Sequence, residues 1–143
     1  MSVVKDFNSE EKYITAMERG LKTVEGRLWS SVMHLQPADL IRFKCGKRHI
    51  ICEVKYVNQY PTFYAMLEKE GLSKVLPGVT TMEEGIETFA TFYDDAVKQG
   101  RAIGAIGLKV KQTQSAIQRA KTKLDTPSIT TFLTPRKRAK TDA

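Results

Sequence analysis

Hydrophobic positions recur with two periods along the chain, and the switches between them divide it into elements. Tyr13, Ala16 and Met17 fall at spacings of three and four, which predicts a helix to about Arg19, capped by Asn8 with Glu11 and stopped at Gly20. Past Lys22 an extended segment would put Thr23, Glu25, Arg27 and Trp29 on one face and Val24 and Leu28 on the other. Leu40 to Cys45 alternates Ile41, Phe43 and Cys45 with Arg42 and Lys44. After a turn at Gly46-Lys47, His49 to Val57 places Ile50, Cys52, Val54 and Tyr56 on one side, which completes a hairpin. Pro61 opens a helix with Phe63, Met66 and Leu67 inward, closed by Gly71. Thr81 caps a longer helix, in which Ile86, Phe89, Ala90, Tyr93 and Val97 form one apolar stripe before Gly100. Ala102 to Val110 then reads as a strand whose Gly104 and Gly107 mark bulging or close backbone approach. The pattern predicts an α+β domain over residues 1–111, followed by an appendage.

Residues 112–143 behave differently. Ile117 and Leu124 are too few to bury a helical face, and 126–143, rich in Thr, Pro, Lys and Arg, is expected to be disordered without a partner. Charge divides at the same place. Residues 1–110 hold 15 Lys/Arg against 14 Asp/Glu, whereas 111–143 hold eight against two, so the tail supplies most of the net charge of +7. A length of 143 residues with 41% hydrophobic content suffices for one cored domain. Cys45 and Cys52 sit inside strand patterns without metal-ligand spacing, so reduced, buried thiols are expected, with no metal site and no cofactor. His34 and His49 are isolated and read as structural. No apolar run approaches the roughly 20 residues that cross a bilayer, and Lys5 and Asp6 interrupt any leader-like start. A soluble intracellular protein with no membrane partner is expected.

The densest chemistry lies in Gly20-Leu21-Lys22-Thr23-Val24-Glu25-Gly26-Arg27. Glu25 and Arg27 share a strand face, and a left-handed glycine at position 20 would re-aim Lys22 to join them. Arg27 would offer a fork of donors, Lys22 a mobile point charge and Glu25 an acceptor for exocyclic amines, a mixture suited to a nucleotide. A solvated strand with paired charges is the alternative.

Gly20, Lys22, Glu25 and Arg27 resemble the G-x-K-x-x-E-x-R signature of ASCH domains, the ASC-1 homology family with a PUA-like β-barrel. Leu35-Gln36-Pro37-Ala38-Asp39-Leu40-Ile41-Arg42-Phe43 is similar to the family's proline-glycine-aspartate and strand element, with Ala38 where glycine is usual. Leu76-Pro77-Gly78 followed by Met82 to Ile86 resembles its helical insert. The resemblance spans about residues 8 to 110. It implies a small mixed β-barrel with peripheral helices and a cleft lined by Lys22, Glu25 and Arg27, binding nucleic acid, RNA ahead of DNA, or a nucleotide. Some relatives hydrolyse modified nucleosides with the signature lysine, a threonine and a distant glutamate. Glu25 stands where they place threonine, so that trio does not transfer. An amidohydrolase or nuclease acting on modified nucleosides or RNA is the alternative, with Lys22 and Glu25 as its acid-base pair.

Arg42, Lys44, Lys47 and Arg48 add four positive charges around one hairpin, either a continuation of a nucleic-acid track or an ordinary solvated face. Tyr60, Phe63 and Tyr64 offer stacking rings or, for Phe63, core. In the tail, Thr126 to Leu133 is similar to the motif by which replication proteins bind the sliding clamp, with Ile129, Phe132 and Leu133 at its hydrophobic positions. Thr126 replaces the usual glutamine and Leu133 the second aromatic residue. Arg136, Lys137, Arg138 and Lys140 within 135–140 resemble a nuclear-import signal, or form a phosphate-binding arm. The resemblances offer the sliding clamp and an import receptor as candidate partners, with an ordinary disordered linker carrying chance hydrophobes as the alternative to clamp binding, and the expected location is nuclear, or cytoplasmic and nuclear.

Overall fold

In the computed structural model, which describes residues 2–113, the chain order is β1 (Val3–Asn8), α1 (Glu11–Glu18), β2 (Val24–Leu28), α2 (Trp29–Val32), β3 (Leu40–Cys45), β4 (Arg48–Tyr60), α3 (Phe63–Glu70), α4 (Leu72–Val75), α5 (Met82–Lys98) and β5 (Ile103–Thr113). The strands form one curled sheet in the order β1-β3-β4-β5-β2. Pairing is antiparallel throughout except between β1 and β3, which run parallel. This is a mixed α+β half-barrel: the α+β mixture follows the sequence pattern, and the barrel follows the family resemblance.

Two cores flank the sheet, and β5 serves both. Ile106 and Leu108 join Phe7, Ile14, Met17, Ile41, Phe43, Ile50, Cys52 and Val54 on the concave side. Ile103 and Ala105, of opposite parity, join Val24, Phe63, Met66, Leu67, Val75, Leu76 and Phe89 beneath α3, α4 and α5. Its glycines are where neighbours approach. A Cβ at Gly107 would lie 2.2 Å from the Tyr56 ring and one at Gly104 2.3 Å from Val32, so no side chain fits at either position.

The predicted hairpin and the cap at Thr81 stand as expected, Thr81 accepting from the Glu84 amide at 3.2 Å; Thr62, after the Pro61 that was expected to open α3, caps that helix by accepting from the Ala65 amide at 3.0 Å. Five details differ. Asn8 caps nothing, because it is drawn into β1 opposite Lys44; Glu10 precedes α1 and makes no side-chain cap bond. Strand β1 itself was unforeseen, since its partner β3 lies beyond α1, β2 and α2 in sequence. Cys45 is exposed, because it ends β3 at the turn beyond the core, whereas Cys52 is buried and its thiol pushed up to about 12 by burial. The stripe on α5 does not run to Val97. Tyr93 departs from helical geometry (φ −130°, ψ 33°), which rotates the last turn so that Ala96 is buried and Val97 exposed. Strand β5 also continues to Thr113, pairing with Ile50 past the predicted end. The segments 126–133 and 135–140 lie outside the described residues.

Candidate functional site

Helix α1 ends in a tight reversal: Gly20 takes φ +75°, and the amides of Leu21 and Lys22 both donate to the Ala16 carbonyl, at 2.9 and 3.2 Å. That reversal turns Lys22 inward, as expected from Gly20. In β2, Glu25 lies opposite Ile106 and Arg27 opposite Gly104, so alternation sends both side chains to the concave side. The three groups meet. Lys22 Nζ lies 3.2 Å from Glu25 Oε1, and Arg27 Nε donates to Glu25 Oε2 at 2.6 Å. Lys22 and Glu25 are 3% and 7% exposed, respectively.

The remaining valences are satisfied by backbone and rings. Lys22 also donates to the carbonyl of Val24 at 2.8 Å and to that of Val75, which accounts for all three ammonium protons, and it lies 5.3 Å from the Tyr13 ring. Arg27 donates from Nη2 to the Asn8 carbonyl at 2.7 Å and stacks 4.7 Å over Phe7, with the Tyr93 side chain close enough to help hold its charge. This has an architectural consequence. Strands β1 and β2 are the two edges of the sheet and share no ladder, so Arg27 links Asn8 of one edge to Glu25 of the other.

Burial raises the cost of every charge here, and the neighbours decide its sign. For Glu25, burial pushes the carboxyl upward, but Lys22 and Arg27 together outweigh it and hold the group below the ordinary carboxylate range. For Lys22, burial wins over Glu25 and lowers the ammonium from its usual value. For Arg27, Glu25 outweighs burial and the guanidinium is held above its usual value. Tyr93 is raised, mainly by burial.

A cavity of ≈ 450 Å³ opens beside the trio. Its floor is Lys22, Glu25, Gly26 and Arg27; Tyr13, Leu76, Phe89, Phe92 and Tyr93 supply apolar wall, and Asn8, Ser9, Glu10, Cys45 and Thr88 the rim. The volume falls within the roughly 300–1,000 Å³ typical of small-molecule sites. Gly26 leaves room for its neighbours: a Cβ there would lie 2.7 Å from the terminal methyl of Met66 and 3.0 Å from the Phe89 ring, so both would have to give way.

The basic hairpin does not join this floor as a unit. Arg42 pairs with Asp6 at 2.6 and 3.2 Å, and Arg48 is held by Glu18 at 2.6 Å, Thr15 at 2.7 Å and Glu11 at 3.3 Å. Lys44 and Lys47 have no ion pair among the described residues, and between them Cys45 borders the cavity. Of the three candidate stacking rings, Phe63 is core and Tyr60 donates to Glu70, which leaves Tyr64 exposed and away from the cavity. The sequence pattern assigned the aromatics of α5 to core and did not anticipate that α5 walls the cavity; Phe92, one residue off the predicted stripe, is 56% exposed and borders it.

The profile of the ASCH domain matches residues 8–114. The chain belongs to the ASCH domain family. Among solved structures, the hypothetical protein PH0355 is 35% identical, with a TM-score of 0.69 over 75% of this chain and 98% of that one. Protein PF0455 from Pyrococcus furiosus is 33% identical, with a TM-score of 0.62 over 76% and 99%. An ASCH protein from Zymomonas mobilis shares the fold at 12% identity, with a TM-score of 0.53 over 91% and 87%. No curated protein matches the chain. The ASCH fold is one generally associated with RNA binding. Among the described residues there is no cluster of metal-ligating side chains, and no helix is long and apolar enough to cross a membrane.

Proposed function

We propose that this ASCH domain binds RNA, and that the cavity floored by Lys22, Glu25 and Arg27 grips it. The observation that carries this reading is the convergence of three ionisable side chains, two of them almost fully buried, against a cavity large enough for one nucleotide. A purely structural ion triad is usually no more stabilising than a packed apolar cluster, so its placement against an open recess favours recognition. Lys44 and Lys47 would meet the phosphates outside. An acid-base role for Lys22 and Glu25 finds less support, because all three Lys22 protons are already donated and both Glu25 oxygens face cations.

The test is anisotropy of labelled single-stranded RNA with the full chain and with Thr88→Trp, which fills the cavity from its rim. Binding by the native chain and its loss in the variant, at an unchanged melting temperature, is expected. Equal binding by both would refute the cavity as the site. In the tail, Ile129, Phe132 and Leu133 are proposed as a sliding-clamp tether, and Arg136, Lys137, Arg138 and Lys140 as an import signal. A peptide of residues 122–141 should bind the clamp and its Phe132→Ala form should not.

A further inference from the structure

Building on the RNA-binding reading, we infer that the group seated in the cavity is an uncharged planar ring, the base of an unpaired nucleotide, and that Phe92 is the side chain it stacks on. The first support is charge. The ionisable groups bordering the cavity include Glu10 and Glu25 as well as Lys22 and Arg27, so two carboxylates balance two cations. Lys22 has no proton left to offer, and Glu25 would repel a phosphate brought to the floor. An anion gains little there. A base edge gains more: a carboxylate has about four lone-pair directions, of which Lys22 and Arg27 take two, and Arg27 retains donors beyond those given to Glu25 and Asn8.

The second support is the wall. Phe92 is 56% exposed although it sits between Phe89, which is 6% exposed, and the half-buried Tyr93. It borders the cavity, and a phenyl face left open at the rim of an aromatic recess is the surface a base would cover. Behind it the wall is fixed. Phe63, Phe89 and Tyr93 stack at centroid distances of 4.3, 5.7 and 6.5 Å, so the cavity presents a prearranged surface. Helix α5 leaves regular geometry at Tyr93, one residue after Phe92, where the Tyr93 side chain also engages Arg27. Such an irregularity in a cavity wall is where a helix re-aims side chains toward a ligand. The third support lies outside the cavity: Lys44 and Lys47 flank Cys45 at the rim, where the phosphates of a strand with one base inserted would pass.

The full chain is titrated with single-stranded RNA, with competition by adenosine, cytidine, guanosine, uridine and ribose 5-phosphate. At least one nucleoside should displace the RNA and ribose 5-phosphate should not. Phe92→Ala should weaken RNA binding by about 5- to 150-fold, the usual cost of removing one base-stacking side chain, and Phe92→Tyr should restore most of it. Because Phe92 is exposed, its variants should melt with the native protein. If Phe92→Ala leaves RNA affinity unchanged, or ribose 5-phosphate competes as well as the nucleosides, or no nucleoside competes, base insertion is wrong. RNA binding lost in Thr88→Trp would still stand in those cases, whereas an absence of any RNA binding by the native chain removes both readings.

Discussion

Replacing Glu25 by glutamine would remove the negative charge between two cations at almost constant shape. Lys22 would remain 3% exposed with the Val24 and Val75 carbonyls but no counter-charge, and Arg27 would lose the carboxylate at 2.6 Å. Removing one partner of a buried ion pair costs roughly 3–5 kcal/mol. Glutamine keeps one carbonyl acceptor, so the expected loss is at the lower end, about 3 kcal/mol. With a urea m-value of roughly 1–3 kcal/mol/M, the unfolding midpoint should fall by about 1–3 M. Fluorescence of Trp29, the single tryptophan, reports the transition. Two controls separate buried charge from general damage. Lys22→Met combined with Glu25→Gln should recover part of the loss, because an apolar replacement of a buried pair is often near neutral. The penalty should also shrink at alkaline pH. Lys22 is already lowered by burial, so the unfolded chain binds its proton more tightly, and stability contributed through Lys22 rises with pH. A Glu25→Gln midpoint indistinguishable from the native one would refute the coupling of the trio.

Three further outcomes follow from the same structure. Ala38 holds φ +79° where a non-glycine residue pays roughly 1–2 kcal/mol, against about 0.4–1 kcal/mol of extra unfolded-state entropy for glycine, so Ala38→Gly should raise the melting temperature by a few degrees; an unchanged or lower value would contradict the strain. On acidification, Glu25, held below the usual 4.5, contributes stability that is complete above the ordinary carboxylate value and lost as pH falls through its folded value; urea midpoints between neutral and acid pH should therefore decline less steeply in Glu25→Gln than in the native chain. With two cysteines in the chain, one exposed and one buried with its thiol pushed up to about 12, a thiol-specific chromophore should titrate one equivalent in native buffer and two in denaturant, and two native equivalents would place Cys52 at the surface.

The reach of sequence reasoning is clearest in β2. Alternation placed Glu25 and Arg27 on one face, and the glycine at position 20 predicted that Lys22 would turn to meet them; both follow from bonds within a few residues. The ASCH signature was legible for the same reason. The basic hairpin shows the opposite. Arg42 and Arg48 looked equivalent to Lys44 and Lys47, but their acidic partners, Asp6, Glu11 and Glu18, come from β1 and α1, which no local pattern pairs with β3 or β4. Phe92 was hidden likewise, since one irregular residue at Tyr93 decides which side of α5 faces the cavity.

The hairpin, the cap of α5, the turn at Gly20 and the identity of the three charged residues were therefore determined by the sequence alone, because periodicity, capping and glycine conformation are short-range effects. Only the tertiary structure decided that Arg27 would join the two edges of the curled sheet, that α5 would wall a cavity over the trio, and that two of the four hairpin cations would be neutralised. Those outcomes depend on which distant surfaces bury one another, and the free energy that selects them belongs to the packed whole, not to any one stretch of chain.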